Sequence, residues 1–136
     1  MNAWTKLVVY AILLMALAGT PSLAAAGSYD GSRPFLCAVT AILECGAAGQ
    51  CERHIADDET APAILKVDVA GQTVTTGTAR KSALKSVTHL DGQLILQGGE
   101  NGRGWSATID EDTGRMAVAI VDNDYIFSLF GVCTLP

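Results

Sequence analysis

Alternation of apolar and polar residues is the feature of this sequence that most limits its possible folds. The apolar positions of its two clearest runs are Trp105, Ala107, Ile109 and then Met116, Val118, Ile120. A period of two residues gives a β-strand one buried face and one solvated face, whereas an amphipathic helix needs a period of 3.6. The sequence therefore predicts β-strands here, separated by a turn at residues 110–114.

The same pattern extends through most of the chain. Leu65, Val67 and Val69 alternate with polar residues, and Asp91-Gly92 between two alternating runs is a strong hairpin signal. The pattern predicts a strand at 93–97 and a loop at 98–102, while residues 80–86 fit either a helical turn or a strand. Short strands joined by frequent turns predict an all-β fold, a small antiparallel β-barrel or sandwich of about eight strands.

The N-terminus has the order of a secretory signal peptide. An apolar run of 12 residues at 7–18 follows Lys6, Pro21 interrupts it, and Ala24-Ala25-Ala26 supplies the small residues of a cleavage site. The alternative, a retained membrane anchor, needs about 20 apolar residues. We therefore expect residues 1–26 to be a cleaved signal peptide, 27–34 a flexible leader and 35–136 a single antiparallel β domain, in the periplasm or secreted.

Charge narrows the range of partners for the exported domain. Removing 26 of the 136 residues leaves 110, and since Lys6 is the only charged residue lost, 8 basic residues face 14 acidic ones, a net charge of −6. An acidic domain repels phosphate backbones, so we expect no nucleic-acid partner. After cleavage no long apolar run remains, and we expect a monomer that does not associate with the membrane.

Four cysteines in an exported domain predict two disulfides. Sequence allows three pairings of Cys37, Cys45, Cys51 and Cys133. Cys45 and Cys51 flank a loop of small residues, so a hairpin would bring them to bridging distance. We therefore favour Cys45 with Cys51 and Cys37 with Cys133, the second pair joining the first strand to the last.

The sequence contains only incomplete patterns of metal-binding residues. Cys45, Cys51 and His54 could be three ligands of a zinc ion, but a fourth is missing and oxidation favours the disulfide. Asp110 and Asp112 resemble the start of a calcium loop, but the later ligands are absent and a turn ending in Gly114 explains the same residues. We predict no metal and no cofactor.

No catalytic constellation stands out. The carboxylates of Asp57, Asp58 and Glu59 could do acid–base chemistry, although three acids beside Pro62 are more often simply solvated. None of the serines has a G-x-S-x-G setting. The serines considered are Ser82, Ser86, Ser106 and Ser128, and only His54 and His89 could serve as a base.

Two features are candidates for binding. Arg80, Lys81 and Lys85 form the one basic cluster on an acidic chain, which could dock an anionic partner or simply protect a strand edge from aggregation. Trp105 lies beside glycines and could be a recognition aromatic, or a tryptophan of the core or the barrel mouth.

Two segments resemble a group of small exported bacterial proteins that has no assigned activity. These segments are YDGSRPFLC at 29–37 and LILQGGENGRGWSATIDEDTGRMAVAI at 94–120. The resemblance implies an exported bacterial β domain and supplies no catalytic residues. The plan is also similar to that of bacterial lysozyme-inhibitor barrels, but their signature loop, Ser-Gly followed by Arg or Ala and Tyr, is absent, so that similarity concerns the fold plan alone.

These observations together predict an exported binding or interaction domain without catalytic activity. Its partner is expected to be a protein, or a small apolar ligand held in a barrel mouth. Two alternatives stay open: an envelope enzyme inhibitor of the lysozyme-inhibitor type, and a small hydrolase that uses Asp57, Asp58 or Glu59.

Overall fold

The computed structural model describes residues 28–57 and 62–136. The predicted signal peptide at 1–26 lies outside these ranges, as do Asp58 and Glu59. The described residues form nine β-strands and no helix, which confirms the predicted all-β class. Among them, therefore, no helix is long and apolar enough to cross a membrane.

Eight of the nine strands close an antiparallel barrel. The strands are β1 (Phe35–Gly46), β2 (Cys51–His54), β3 (Ile64–Asp68), β4 (Thr73–Thr76), β5 (Lys81–Leu90), β6 (Gln93–Glu100), β7 (Arg103–Asp110), β8 (Arg115–Val121) and β9 (Tyr125–Thr134). Neighbours in the chain pair from β3 to β9, and β1 pairs with both β3 and β9 to complete the ring. The extra strand, β2, pairs with the C-terminal half of β1. Of the two architectures expected from the sequence, the chain adopts the barrel.

A tight turn at Asp91-Gly92 fixes the register of the hairpin formed by β5 and β6. Asp91 and Gly92 both have positive φ, +49° and +76°, between the paired residues Leu90 and Gln93. Positive φ at both central residues is the signature of a type I′ turn, whose twist matches that of the flanking strands. The predicted hairpin is therefore confirmed.

The predicted loop at 98–102 is wrong in its extent. Only Asn101 and Gly102 form the turn, both with positive φ, and the strands on either side pair as far as Glu100 and Arg103. Gly98 belongs to β6 and lies opposite Trp105 of β7. Glycine occurs inside this strand because the indole ring of Trp105 fills the space that a side chain at position 98 would need.

The ambiguous stretch at 80–86 belongs mostly to a strand. β5 begins at Lys81 and contains a β-bulge between Leu84 and Ser86, where the pairing with β6 shifts by one residue. A bulge changes which side chains face the core beyond it, because successive residues of a strand point to opposite faces. Leu84 is accordingly buried, while Lys81 and Lys85 on either side of it are exposed.

The core fills the inside of the barrel with alternate residues from its strands. No polar or charged side chain among the described residues is buried. The most deeply buried large side chains are Phe35, Ile42, Leu94, Leu96, Ile109 and Leu129. Because these residues come from β1, β6, β7 and β9, the core depends on contacts that cross the barrel as well as on neighbouring strands.

Both predicted disulfides are present. Cys37 and Cys133 lie directly opposite each other on β1 and β9, and both are buried. Cys45 and Cys51 lie opposite each other on β1 and β2 and close the short hairpin. No described cysteine is a free thiol. The two bonds are consistent with an oxidising, extracytoplasmic compartment.

The described part of the predicted leader contacts the barrel. Tyr29 packs edge-on against Phe35 with ring centroids 5.9 Å apart, and its backbone N–H donates to the carbonyl oxygen of Glu111 at 3.0 Å. These contacts place residues near Tyr29 across one end of the barrel. The flexibility expected for residues 27–34 stays a prediction.

Candidate ligand site inside the barrel

An apolar cavity of about 100 Å³ lies inside the barrel. Its walls are inward-facing side chains from seven strands of the barrel, β3 to β9. The apolar lining consists of Leu65, Val67, Val74, Leu96, Ala107, Ile109, Met116, Val118, Ile120 and Leu129. An eight-stranded barrel is just wide enough for side chains to fill or for one small ligand, so an unfilled volume of this size is room for an apolar group.

The polar residues of the cavity lie at one end of the barrel, where β4 and β6 finish and β5 and β7 begin. Arg80 and Glu100 meet there, with Arg80 Nε 3.7 Å from Glu100 Oε1. Their side chains are 60% and 31% exposed, so this end opens to solvent. Thr76 and Pro62 also line the cavity at this end. The site therefore combines an apolar interior with one ion pair at its mouth.

Trp105 is a wall of the cavity with a fixed orientation. Its indole Nε1–H donates a hydrogen bond of 2.8 Å to the Ser82 hydroxyl oxygen, and its ring covers Gly98. A buried indole N–H needs such a partner. The structure thus places Trp105, a predicted binding candidate, at the cavity and half-buried beneath the mouth.

The predicted basic cluster divides into two parts. Arg80 lines the cavity, whereas Lys81 and Lys85 alternate with inward-facing Ser82 and Leu84 and therefore project from the outside of the barrel. Because adjacent residues of a strand face opposite sides, three cations close in sequence do not form one patch. Only Arg80 of the three contributes to the cavity.

The described residues weighed for acid–base catalysis, namely Asp57, His54 and His89, do not line the cavity. Asp57 is exposed, and Asp58 and Glu59 are outside the described ranges. His54 Nε2 lies 3.0 Å from Glu44 Oε2, without the angles of a hydrogen bond, and His89 Nδ1 contacts Glu111 Oε1. In the part of the chain that the structure describes, no three His, Cys, Asp or Glu residues are grouped to hold a metal ion.

The acidic turn at 110–114 is organised by its own side chains. Asp110 Oδ1 accepts hydrogen bonds from the backbone N–H groups of Asp112 and Thr113 and from the Thr113 hydroxyl. These bonds, above all the one from the Thr113 N–H, lower the pKa of Asp110. Gly114 ends the turn at φ +71°, which confirms the predicted glycine-terminated turn.

Another turn at the mouth end of the barrel is built in the same way. Asp122 accepts from the N–H groups of Asp124 and Tyr125, which lower its pKa, and Arg103 Nε donates to it at 3.2 Å. These carboxylates shape the ends of strands. In both residues Oδ1 accepts from backbone N–H groups of the same turn, and Oδ2 accepts from a side chain of another strand, Gln93 for Asp110 and Arg103 for Asp122.

The outer face of β8 and β9 carries several exposed apolar side chains. Val121 lies opposite Ile126, and Ala117 lies opposite Phe130, all pointing away from the core. Phe130 is 52% exposed. An exposed apolar surface of this kind often marks a contact site. The residues of this face were not among the candidates chosen from the sequence, because a run such as Ile126–Phe130 does not show which of its side chains face outward.

Sequence reasoning also missed Glu100 as a site residue. The sequence predicts a loop at 98–102, whereas the structure makes Glu100 the last residue of β6, facing inward at the mouth. The available signal was the pair Asn101-Gly102, which is a preferred type I′ turn sequence and would have extended both strands.

Comparisons with known proteins give no family for this chain. No protein-family model, no curated protein and no solved structure matches it.

Proposed function

We propose that this chain is an exported, monomeric binding domain that holds a small apolar ligand inside its barrel and has no catalytic activity. The observation that carries the proposal is the apolar cavity of about 100 Å³, which opens beside Trp105 and the Arg80–Glu100 pair. Apolar pockets with a few polar groups at one end are the usual form of a small-molecule site.

The size of the cavity limits the ligand. An apolar cavity of about 150 Å³ binds benzene or xenon. A cavity of about 100 Å³ therefore accepts an apolar group of about four heavy atoms. Burying each CH₂ group contributes about 0.8 kcal/mol, and four of them contribute about 3 kcal/mol. The apolar part alone therefore supports binding in the millimolar range or weaker.

The proposed location is the periplasm or the extracellular space. It rests on the signal-like sequence at 1–26 together with the two disulfides, one of them buried between the first and last strands of the barrel. Disulfides form and persist in oxidising compartments, so the covalent structure of the domain suits an exported protein.

A cavity-filling substitution tests the proposal. Ala107 lines the cavity and is buried, whereas Ala119 lies outside on β8 and is exposed. We expect isoamyl alcohol to produce saturable amide NMR shifts around the cavity in the unmodified chain and in Ala119→Leu. The shifts should be lost in Ala107→Leu, because the leucine side chain extends three carbon atoms beyond the alanine methyl group into the space.

A milder pair of variants covers the case in which Ala107→Leu does not fold. Val118→Ile adds one methylene inside the cavity and should weaken the shifts, and Val132→Ile adds it on the outer face and should leave them unchanged. Absence of saturable shifts in the unmodified chain contradicts the proposal. Turnover of an ester, amide or glycoside substrate that is lost on changing His54 or His89 to alanine contradicts its non-enzymatic part.

A further inference from the structure

The mouth of the cavity carries both signs of charge on residues that line the same space. Among the described residues that line the cavity, the charged ones are Arg80 and Glu100, with Arg80 Nε 3.7 Å from Glu100 Oε1. This separation is longer than a good charge-assisted hydrogen bond, so each group keeps donor or acceptor capacity for a ligand. Both side chains are partly exposed and can be reached from solvent.

The pairing of charges selects among ligand types. A ligand with a single charge pairs with one of the two groups and places a like charge beside the other, which is unfavourable. An uncharged ligand uses neither group. A zwitterion satisfies both, because its anionic end faces the Arg80 guanidinium while its cationic end faces the Glu100 carboxylate.

The apolar interior then specifies what the zwitterion carries. A cavity of about 100 Å³ fits an apolar group of about four heavy atoms, which is the size of a leucine, isoleucine or methionine side chain. An α-amino acid bears its two charges and its side chain on one carbon, so the charges can stay at the mouth while the side chain enters the barrel.

We propose that the ligand is a free apolar α-amino acid of the leucine type. Its side chain occupies the cavity beside Trp105, its carboxylate pairs with Arg80, and its ammonium group pairs with Glu100. This inference rests on the proposed function, since it requires that the cavity bind ligands at all. The residue at a peptide terminus has only one of the two charges and is the less favourable source of the same side chain.

Four probes separate these possibilities in titrations of the purified chain followed by amide NMR shifts. The probes are leucine, leucinamide without the carboxylate, N-acetyl-leucine without the ammonium group, and isoamyl alcohol without either charge. Exposed ion pairs and charge-assisted hydrogen bonds are modest, so we expect leucine to bind about fivefold more tightly than leucinamide or N-acetyl-leucine.

Two isosteric variants assign the charges. Arg80→Gln should weaken leucine about fivefold, to the level of leucinamide, and should not weaken leucinamide, because leucinamide has no carboxylate to pair with Arg80. Glu100→Gln should weaken leucine to the level of N-acetyl-leucine and should not weaken N-acetyl-leucine. Lys85→Gln also removes one positive charge, from the outside of β5, the strand that follows Arg80, and should change none of the four affinities.

Specific results overturn the inference. Leucine binding no tighter than either single-charge analogue contradicts it, and tighter binding of N-acetyl-leucine or of leucinamide indicates a peptide terminus instead. If Arg80→Gln lowers the affinity for all four probes equally, Arg80 has a structural role and the inference is overturned. If isoamyl alcohol binds and leucine does not, this inference fails while the proposed function stands; if no probe binds, both fail.

Discussion

At Gly98 the absence of a side chain is required by a specific neighbour. A Cβ atom there would lie 2.4 Å from the Cζ2 atom of Trp105 and 2.7 Å from the Ala83 carbonyl oxygen. Trp105 cannot simply turn away, because its indole N–H is bound to the Ser82 hydroxyl. The glycine and the tryptophan therefore act as one packing unit in the wall of the cavity.

A pair of glycine substitutions tests this interpretation. We expect Gly98→Ala to lower the free energy of unfolding by about 2 kcal/mol, since the added methyl group must displace backbone or the ring. Gly104→Ala is the control, because a Cβ there meets nothing within 4 Å. It should be neutral or slightly stabilising in urea unfolding. Equal losses for the two variants would contradict the close packing.

The depressed pKa of Asp110 predicts a dependence of stability on pH. Hydrogen bonds from Thr113 favour the carboxylate in the folded state, while the unfolded chain keeps an ordinary pKa of about 3.9. The stabilisation is therefore present above the unfolded pKa and is lost as the pH falls through the lower, folded pKa. Asp110→Asn should be less stable than the unmodified chain at neutral pH, with the difference shrinking below about pH 4.

The measurement is thermal unfolding of both proteins between neutral and acid pH. The control is Asp112→Asn, since the Asp112 side chain accepts none of the three bonds that converge on Asp110. The difference in stability between Asp112→Asn and the unmodified chain should not shrink as the pH falls. A constant difference for Asp110→Asn across the range would show that its charge does not contribute.

At the scale of one element, β9 shows that an apolar run does not indicate which of its side chains point into the core. Leu129 and Phe130 are adjacent, large and apolar, yet Leu129 is 1% exposed and Phe130 is 52% exposed. Pairing with Val118 and Ile42 turns Leu129 inward, and pairing with Ala117 and Ala41 leaves Phe130 on the outer face.

Alanine substitutions at these two positions should differ strongly. Leu129→Ala removes a fully buried side chain and should cost about 2 to 5 kcal/mol in urea unfolding. Phe130→Ala removes a half-exposed ring and should cost about 1 kcal/mol or less. A loss at Phe130 as large as that at Leu129 would mean that the outer face is covered when the protein is in solution.

The bulge in β5 decides that Leu84, and not the charged Lys85, faces the core. Continuing the pairing of Val87 with Leu96 without interruption would place Lys85 opposite Gly98, on the inner face. The shift between Leu84 and Ser86 instead places Leu84 there and leaves Lys85 in solvent. A slip of one residue reverses the faces of a strand, so this detail controls the composition of the core.

At the scale of the whole molecule, one disulfide fastens the closure of the barrel. Cys37 and Cys133 are 96 residues apart and join β1 to β9, whereas Cys45 and Cys51 are 6 residues apart in one hairpin. In the chain-entropy model, loops of these lengths correspond to about 4.7 and about 2 kcal/mol. The long-range bond therefore restrains the unfolded chain far more.

Removing the disulfides one at a time measures this difference. Replacing Cys37 and Cys133 by alanine should cost about 2 to 3 kcal/mol more in urea unfolding than replacing Cys45 and Cys51. If the first variant does not fold, mild reduction of the unmodified chain followed by peptide mapping gives a second measurement. The partly exposed Cys45–Cys51 bond should open before the buried Cys37–Cys133 bond, and the reverse order would contradict this account.

The sequence alone determined the features that depend on neighbouring residues. The alternation ending at Ile109 and Ile120, the turn at Asp91-Gly92 and the glycine at 114 are local patterns, and the strands and turns formed where they indicated. The disulfide pairing was also predictable, since a short hairpin joins one pair and leaves the other to join the ends of the domain.

Only the tertiary structure decided the closure of the barrel, the bulge in β5 and which residues lie at the mouth of the cavity. Whether strands close into a barrel or stack as a sandwich depends on tilt and stagger summed over all of them, which no local pattern specifies. Arg80 and Glu100 meet only because β5 and β6 pair with a shifted register. The cavity exists because side chains from seven strands leave a common space unfilled, and packing of this kind is a property of the assembled fold.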